Sequence, residues 1–224
     1  MDNEKKIVVN LPDAFKASNF IDLDDYHIYE DSNMGVGIDR RVIYVVGEIN
    51  GSGEEGPCTT TNEVVNQIQR WNTIDEKQNI PVEKRKPIWI SIASEGGDLL
   101  GTWVLINAIK GSKTPVYTVN VNHALSAACL ILASGHKRFS LRGAGHLIHS
   151  GSVRYSGQRE NAESVKKYMD KIDKKATDWL ISATKIDSKT YKIRAPKDWW
   201  MDEDEALKYG VIDEIVDDLN KVFY

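Results

Sequence analysis

Cysteine is scarce in this chain of 224 residues: only Cys58 and Cys129 are present. Two thiols make neither a disulfide framework nor a four-ligand zinc site, and free thiols suit a reducing compartment such as the cytoplasm. Proline is also sparse at 6 residues, which excludes collagen-like and proline-rich chains. Positive charge is not in excess. The 29 Lys and Arg against 33 Asp and Glu leave a formal net charge of -4, so no long-range positive field is available for nucleic acid or an anionic membrane, and neither partner is expected. Long apolar runs are missing too. No stretch reaches the ~18 residues that span a bilayer, and residues 1–25 lack the unbroken apolar core of a secretion signal. What is present, 41% hydrophobic and 28% charged residues, matches one folded domain long enough to bury a core.

Residues 1–39 mix Asn, Asp, Ser and Gly with short apolar pieces such as Ile7-Val8-Val9, and read as a partly mobile arm ahead of a domain over residues 40–224. From Arg41 the pattern changes. Val42-Ile43-Tyr44-Val45-Val46, Ile88-Trp89-Ile90-Ser91-Ile92 and Val116-Tyr117-Thr118-Val119 are β-branched runs of the kind that form buried strands. Between them Val64, Val65, Ile68 and Trp71 share one helical face, and Leu99, Leu100, Trp103, Val104 and residues 106–109 predict a more fully buried helix. Strand and helix alternating in this way predict an α/β fold with a mostly parallel sheet. The segment from Phe139 to Ile148 reads as one further strand. A long amphipathic helix follows, over about residues 161–184, with Val165, Tyr168, Met169, Ile172, Ala176, Trp179, Leu180 and Ala183 in one stripe. Either its own sheet or a neighbouring subunit covers that stripe. The acidic run 202–205 marks the first turn of a last helix, where the dipole favours negative charge.

Gly51-Ser52-Gly53-Glu54-Glu55-Gly56 is a literal G-x-G-x-x-G, but Glu54 and Glu55 would meet a pyrophosphate, and Pro57 and Cys58 delay the helix that should bind it. It reads as a solvent loop, and no cofactor is expected. His146 and His149, three apart on a strand, face opposite ways and do not share a metal. Cys129, inside Ala127-Ala128-Cys129-Leu130-Ile131-Leu132, reads as a small core residue.

Ser126 invites a different reading. It follows a strand ending near Asn122 and opens a helix of small apolar residues, where a side chain is exposed at a sheet end beside helix N–H groups. A serine there is also an ordinary N-cap. Ile92-Ala93-Ser94-Glu95-Gly96-Gly97 is a second strand end, with a Gly-Gly turn that permits close backbone approach. In a parallel sheet both turns open at one edge, so the N–H groups of Gly97 and Ala127 can converge beside the Ser126 hydroxyl as an oxyanion hole. A serine nucleophile needs a base and an orienting acid. His149 ends a strand, and Asp198, in Pro196-Lys197-Asp198-Trp199-Trp200-Met201, is flanked by large apolar residues expected to exclude water; its plain reading is a helix-capping or salt-bridged Asp.

At these residues the chain resembles the proteolytic subunits of the Clp protease, the ClpP family of serine peptidases. The likeness runs in order from about Arg41 to Val216. Arg41-Val42-Ile43-Tyr44-Val45-Val46-Gly47-Glu48-Ile49 is similar to the family's first core strand, Ser94-Glu95-Gly96-Gly97 to its Ser-Pro-Gly-Gly turn, and Leu125-Ser126-Ala127-Ala128 to its nucleophile segment. Leu147-Ile148-His149 resembles its Met-Ile-His, Lys197-Asp198 its Arg-Asp, and Glu205-Ala206 with Tyr209-Gly210-Val211-Ile212-Asp213 its closing signature. The resemblance implies a ClpP/crotonase-like repeated β-β-α spiral with a projecting handle helix at about 155–185 and an axial role for residues 1–39. It also implies Ser126 as nucleophile, His149 as general base, Asp198 as its orienter, and the Gly97 and Ala127 amides as oxyanion donors. The function implied is a self-compartmentalising serine endopeptidase acting on unfolded or threaded polypeptides, assembled into rings, as stacked heptamers, with a Clp-type AAA+ unfoldase as candidate partner.

The chain departs from that pattern at Glu95 in place of Pro, at Asn122-His123 in place of Gly-Gln, and at Ala127 in place of Met. Two alternatives stand beside the peptidase. A crotonase-like acyl-CoA enzyme shares the fold and the paired-amide anion hole without needing the Ser/His/Asp set. A non-catalytic ring subunit has little physical reason to keep all three groups.

Overall fold

The computed structural model describes residues 41–50, 58–151 and 159–223. The arm 1–39 and the glycine-rich segment 51–56 lie outside the described residues. Among the described residues, eight strands form one sheet in the order β2-β1-β3-β4-β5-β8, with β6 and β7 branching from β4. The strands are β1 (Val42–Asn50), β2 (Cys58–Thr60), β3 (Ile88–Gly97), β4 (Val116–Leu125), β5 (Lys137–Leu141), β6 (Gly145–Ile148), β7 (Trp199–Met201) and β8 (Glu214–Val216). Every pairing is parallel except β6 with β7. The expected α/β fold with a mostly parallel sheet is therefore the one observed.

Both faces of the sheet are covered, which is why its strands read as nearly continuous apolar runs. Ile88, Ile90 and Ile92 alternate along β3 and are fully buried on the main core. On the other face Trp89 gathers Tyr117, Phe139 and Phe223 at centroid separations of 5.2, 5.3 and 5.7 Å. Helices flank the main core. In α1 (Thr61–Lys77) the buried Val64, Ile68, Trp71 and Asp75 recur every three or four residues. Asp75 is fully buried yet doubly bonded to Arg41, at 2.6 and 2.8 Å, and accepts a third bond from Thr114 Oγ1 at 2.8 Å. Arg41 also stacks over Trp71 at 4.7 Å.

The second helix, α2 (Leu99–Gly111), starts at Asp98, whose side chain accepts from the Gly101 N–H at 2.6 Å. It is less buried than its composition predicts. Leu105, Ile106 and Ile109 face the core, whereas Leu100 and Val104 are exposed, because a helix on a sheet hides one stripe and these two fall outside it. By contrast α3 (Ala127–Ser134) is buried on nearly every side. The long helix α4 (Arg159–Ala183) changes character along its length: Ile172, Ala176 and Leu180 are buried, but Tyr168, one turn earlier, is 53% exposed. Two short helices, α5 (Ser188–Arg194) and α6 (Glu203–Lys208), are N-capped by Asp187 and Asp202. Asp202 accepts from the Glu205 N–H at 2.8 Å, so the acidic run does open a helix.

The expected single strand from Phe139 to Ile148 is two strands. Residues 142–144, with Gly143 at φ +82°, turn the chain between β5 and β6. The break matters because β4 is shared. Its first half, Tyr117 to Asn120, pairs with β5; its second half, His123 to Leu125, pairs with β6. On the β3 side a register shift between the pairs Ile92–Asn120 and Ser94–Ala124 accompanies this change of partner, and β4 stays paired with β3 beyond it.

Candidate active site

The change of partner along β4 determines where Ser126 stands. Leu125, the last residue of β4, pairs with Leu147 on β6, and the Ser126 N–H donates to the Leu147 carbonyl at 2.9 Å. Two residues beyond Leu147 the chain reaches His149. The branch that splits the sheet thus brings the two residues to one edge, and His149 Nε2 lies 2.6 Å from Ser126 Oγ. With Nδ1 carrying the ring proton, the hydroxyl donates to Nε2.

Ser126 occupies the cap position of α3, but its side chain makes no capping hydrogen bond. Its backbone is at φ 54° and ψ -121°, a region costly for a residue with a Cβ, at about 1–3 kcal/mol. Hydrogen bonds on both sides hold it there: the N–H to Leu147, and its carbonyl accepting from the Cys129 N–H at 3.0 Å. The result is a side chain turned away from the helix it opens and toward the imidazole.

Asp198 also comes to this edge, on a different footing from the one expected. Its Oδ1 is 3.7 Å from His149 Nδ1, beyond a hydrogen bond, and its side chain is 64% exposed. The neighbouring tryptophans do not wall it off. In β7 the alternation of a strand sends Trp199 and Met201 inward and Trp200 outward, and Trp199 packs edge-on against Tyr209, with centroids 4.7 Å apart. The carboxylate is left on the solvent side of the imidazole.

The two glycines at the end of β3 are required by contact. A Cβ on Gly96 would lie 2.6 Å from the Leu125 carbonyl and 2.9 Å from both the Ala127 nitrogen and the Ser126 Cβ; one on Gly97 would lie 2.2 Å from the Ile49 carbonyl. Their φ values of +96° and +149° suit glycine as well. The Gly96 N–H is taken by Ser94 Oγ at 3.1 Å, and Ser94 Oγ donates to the Gly47 carbonyl at 2.5 Å. Gly97 and Ala127 line the same cavity as Ser126 and His149, which measures about 410 Å³.

The other singled-out residues lie elsewhere. His146 is fully buried, and burial, opposed by the Met201 backbone and by Glu203 and Asp202, pushes its imidazole down to about 4. Cys129 is fully buried in α3, and burial pushes its thiol up to about 12, far from nucleophilic use at neutral pH. Two features were not foreseen. Glu95 and His123 approach to 3.3 Å across the ends of β3 and β4, at the two positions where family Pro and Gln are replaced. A face of α4 also lines the cavity through Met169, Asp170, Asp173, Ala176, Thr177 and Leu180. Their spacing was available as a helical face, but nothing local says which face meets Ser126.

Among the described residues, no helix is long and apolar enough to cross a membrane. Comparison with known proteins agrees with the geometry. Residues 41–218 match the family model described as Clp protease. Over 195 residues, 86% of this chain and 91% of the relative, the sequence is 27% identical to the "ATP-dependent Clp protease proteolytic subunit 2" of Borreliella burgdorferi. It is 30% identical over 134 residues to the protein of the same description from Treponema pallidum, covering 59% of this chain and 67% of that one. The "ATP-dependent Clp protease proteolytic subunit" of Streptococcus mutans is 32% identical over 143 residues, 60% of this chain and 71% of the relative. A parallel sheet that splits at β4, a Gly-Gly turn pressed on the serine junction and a family match over residues 41–218 lead to one conclusion: this chain belongs to the Clp protease family.

Proposed function

We propose that the chain is a serine endopeptidase that hydrolyses unfolded or threaded polypeptides through an acyl-enzyme. The observation that carries this reading is the 2.6 Å approach of His149 Nε2 to Ser126 Oγ inside a cavity also lined by Gly97 and Ala127. As Oγ attacks a peptide carbonyl, its proton passes to Nε2. Negative charge then builds on the former carbonyl oxygen, and the Gly97 and Ala127 N–H groups stabilise it. Losing one such donor costs about 3 kcal/mol in comparable enzymes. The imidazolium returns its proton to the departing amine, the C–N bond breaks, and an ester to Ser126 remains. Water activated by the neutral imidazole hydrolyses that ester and restores the serine.

Asp198 orients His149 and offsets the imidazolium charge in this scheme. Closing its gap to a hydrogen bond takes a movement of about 1 Å, a common difference between a resting and a substrate-bound site. Acyl-CoA chemistry, the alternative enzyme reading, leaves the Ser126–His149 contact without a task.

Self-assembly into rings belongs to the same proposal. The exposed Tyr168 on the first half of α4 and the exposed Leu100 and Val104 on α2 are apolar surface that a second copy can cover. Stacking of two rings through α4 would sequester the cavities and restrict substrates to chains that can be threaded in. A Clp-type unfoldase is the partner such a chamber calls for, with the cytoplasm as its setting.

A fluorophosphonate probe followed by peptide mapping tests the chemistry. Labelling at Ser126, and loss of both labelling and peptide hydrolysis in Ser126→Ala, are expected. Undiminished turnover by Ser126→Ala would end this reading.

A further inference from the structure

One wall of the cavity beside Ser126 and His149 is a face of α4 that brings two carboxylates, Asp170 and Asp173, and a third, Asp98, comes from the start of α2. Among the described residues that line the cavity there is no Lys or Arg. Two of the three acids are occupied. Asp98 caps α2 through the Gly101 N–H, and Asp170 is held by Lys166 at 2.9 Å. Asp173 is different: half-buried, it has no cationic partner among the described residues. Its carboxylate lies beside the backbone just past His149, since a Cβ on Gly151 would stand 3.4 Å from Asp173 Oδ1. The charge is felt across the cavity. Tyr191 on α5 has its phenol pushed up, first by burial and further by Asp173, while its hydroxyl accepts from Thr177 Oγ1 at 3.1 Å.

The remaining wall is apolar, through Leu99, Leu130, Met169 and Leu180. Such a space suits a long side chain with an aliphatic stem and a cationic head, which buries the stem and sets the charge against the carboxylate. A neutral side chain would strip water from Asp173 and return nothing, and an acidic one would be repelled. The residue whose carbonyl carbon Ser126 attacks carries its side chain on the α-carbon bonded to that carbon, so this side chain is the one delivered to the cavity.

We propose that Asp173 is a specificity-determining residue that selects peptide bonds following lysine or arginine. The inference rests on the serine-peptidase reading above and deepens it by naming the substrate class.

The test uses the full chain and four peptide aminocoumarin amides, identical except for Lys, Arg, Leu or Glu before the scissile bond, with fluorophosphonate labelling in parallel. For the unaltered protein, kcat/KM with Lys and Arg is expected at least tenfold above Leu, with Glu slowest. Asp173→Asn is expected to shrink the Lys-to-Leu ratio about tenfold, mainly through KM, and Asp173→Glu to retain the preference. Equal rates for Lys and Leu in a protein whose Ser126 is labelled overturn this inference and leave the peptidase standing. A ratio that survives unchanged in Asp173→Asn also overturns it. If Ser126 is neither labelled nor required, both readings fall together. Should Asp173→Asn not fold, the profile of the unaltered protein decides.

Discussion

His149 and Asp198 stand with Nδ1 and Oδ1 3.7 Å apart, while the other ring nitrogen of the same histidine is already in hydrogen-bond contact with Ser126. In the proposed relay the serine side is closed and the carboxylate side open. Asp198→Asn should therefore leave the Ser126–His149 contact intact yet lower kcat at least a hundredfold with little change in KM, because an imidazolium without its counter-charge forms less readily. Steady-state kinetics with a fluorogenic peptide read this. If subunit contacts bring Asp198 in, specific activity should also rise with protein concentration over the range in which light scattering records assembly.

Ser126 at φ 54° and ψ -121° holds a conformation that glycine adopts freely. Ser126→Gly should abolish hydrolysis yet be more stable than Ser126→Ala by about 1 kcal/mol, since only the glycine releases the backbone strain. Urea unfolding of the two variants measures the difference. Equal midpoints and slopes would show that the strain is not stored at this residue.

The buried pair of Arg41 and Asp75 joins the start of β1 to α1. Removing one partner leaves the other charged and dry. Asp75→Ala should cost about 3–5 kcal/mol, and a joint apolar replacement at both positions should recover most of it. Denaturation midpoints of the singles and the double test this, and a double variant as unstable as the sum of the singles would contradict it.

His146 supplies a pH dependence. Its folded-state imidazole is pushed down to about 4 from an ordinary 6.5, first by burial. Above pH 6.5 neither folded nor unfolded chain protonates it. As pH falls from 6.5 toward 4 the unfolded chain takes up a proton that the folded chain refuses, and stability drops by a total of about 3 kcal/mol. Below 4 both states are protonated and the term is flat. Unfolding free energies of the unaltered protein and His146→Leu at pH 7 and 4.5 should diverge accordingly, with the variant losing less on acidification.

Much of this was legible in sequence because it is local. The β-branched runs at Val42, Ile88 and Val116 could hardly be anything but covered strands, and the two strand-end turns announced themselves as Gly96-Gly97 and Ser126 without any partner in view. Where a reading failed, a long-range choice had been made. Asp198 looked shielded because tryptophans neighbour it in the chain, yet strand alternation turned Trp200 outward and left the carboxylate wet. Leu100 and Val104 looked buried by composition, and the angle at which α2 meets the sheet exposed them. Phe139 to Ile148 looked like one strand because the apolar pattern does not register that β4 has two different partners.

By itself, the order of residues determined which segments become strands and helices, and which turn carries a small residue where backbone must approach backbone. These follow from side-chain period and steric permission within a few residues. Only the tertiary structure decided that β4 splits between β5 and β6, so that Ser126 meets His149, and that the Asp173 face of α4 meets them both. Register and helix rotation depend on contacts between residues far apart in the chain, and no local preference encodes them.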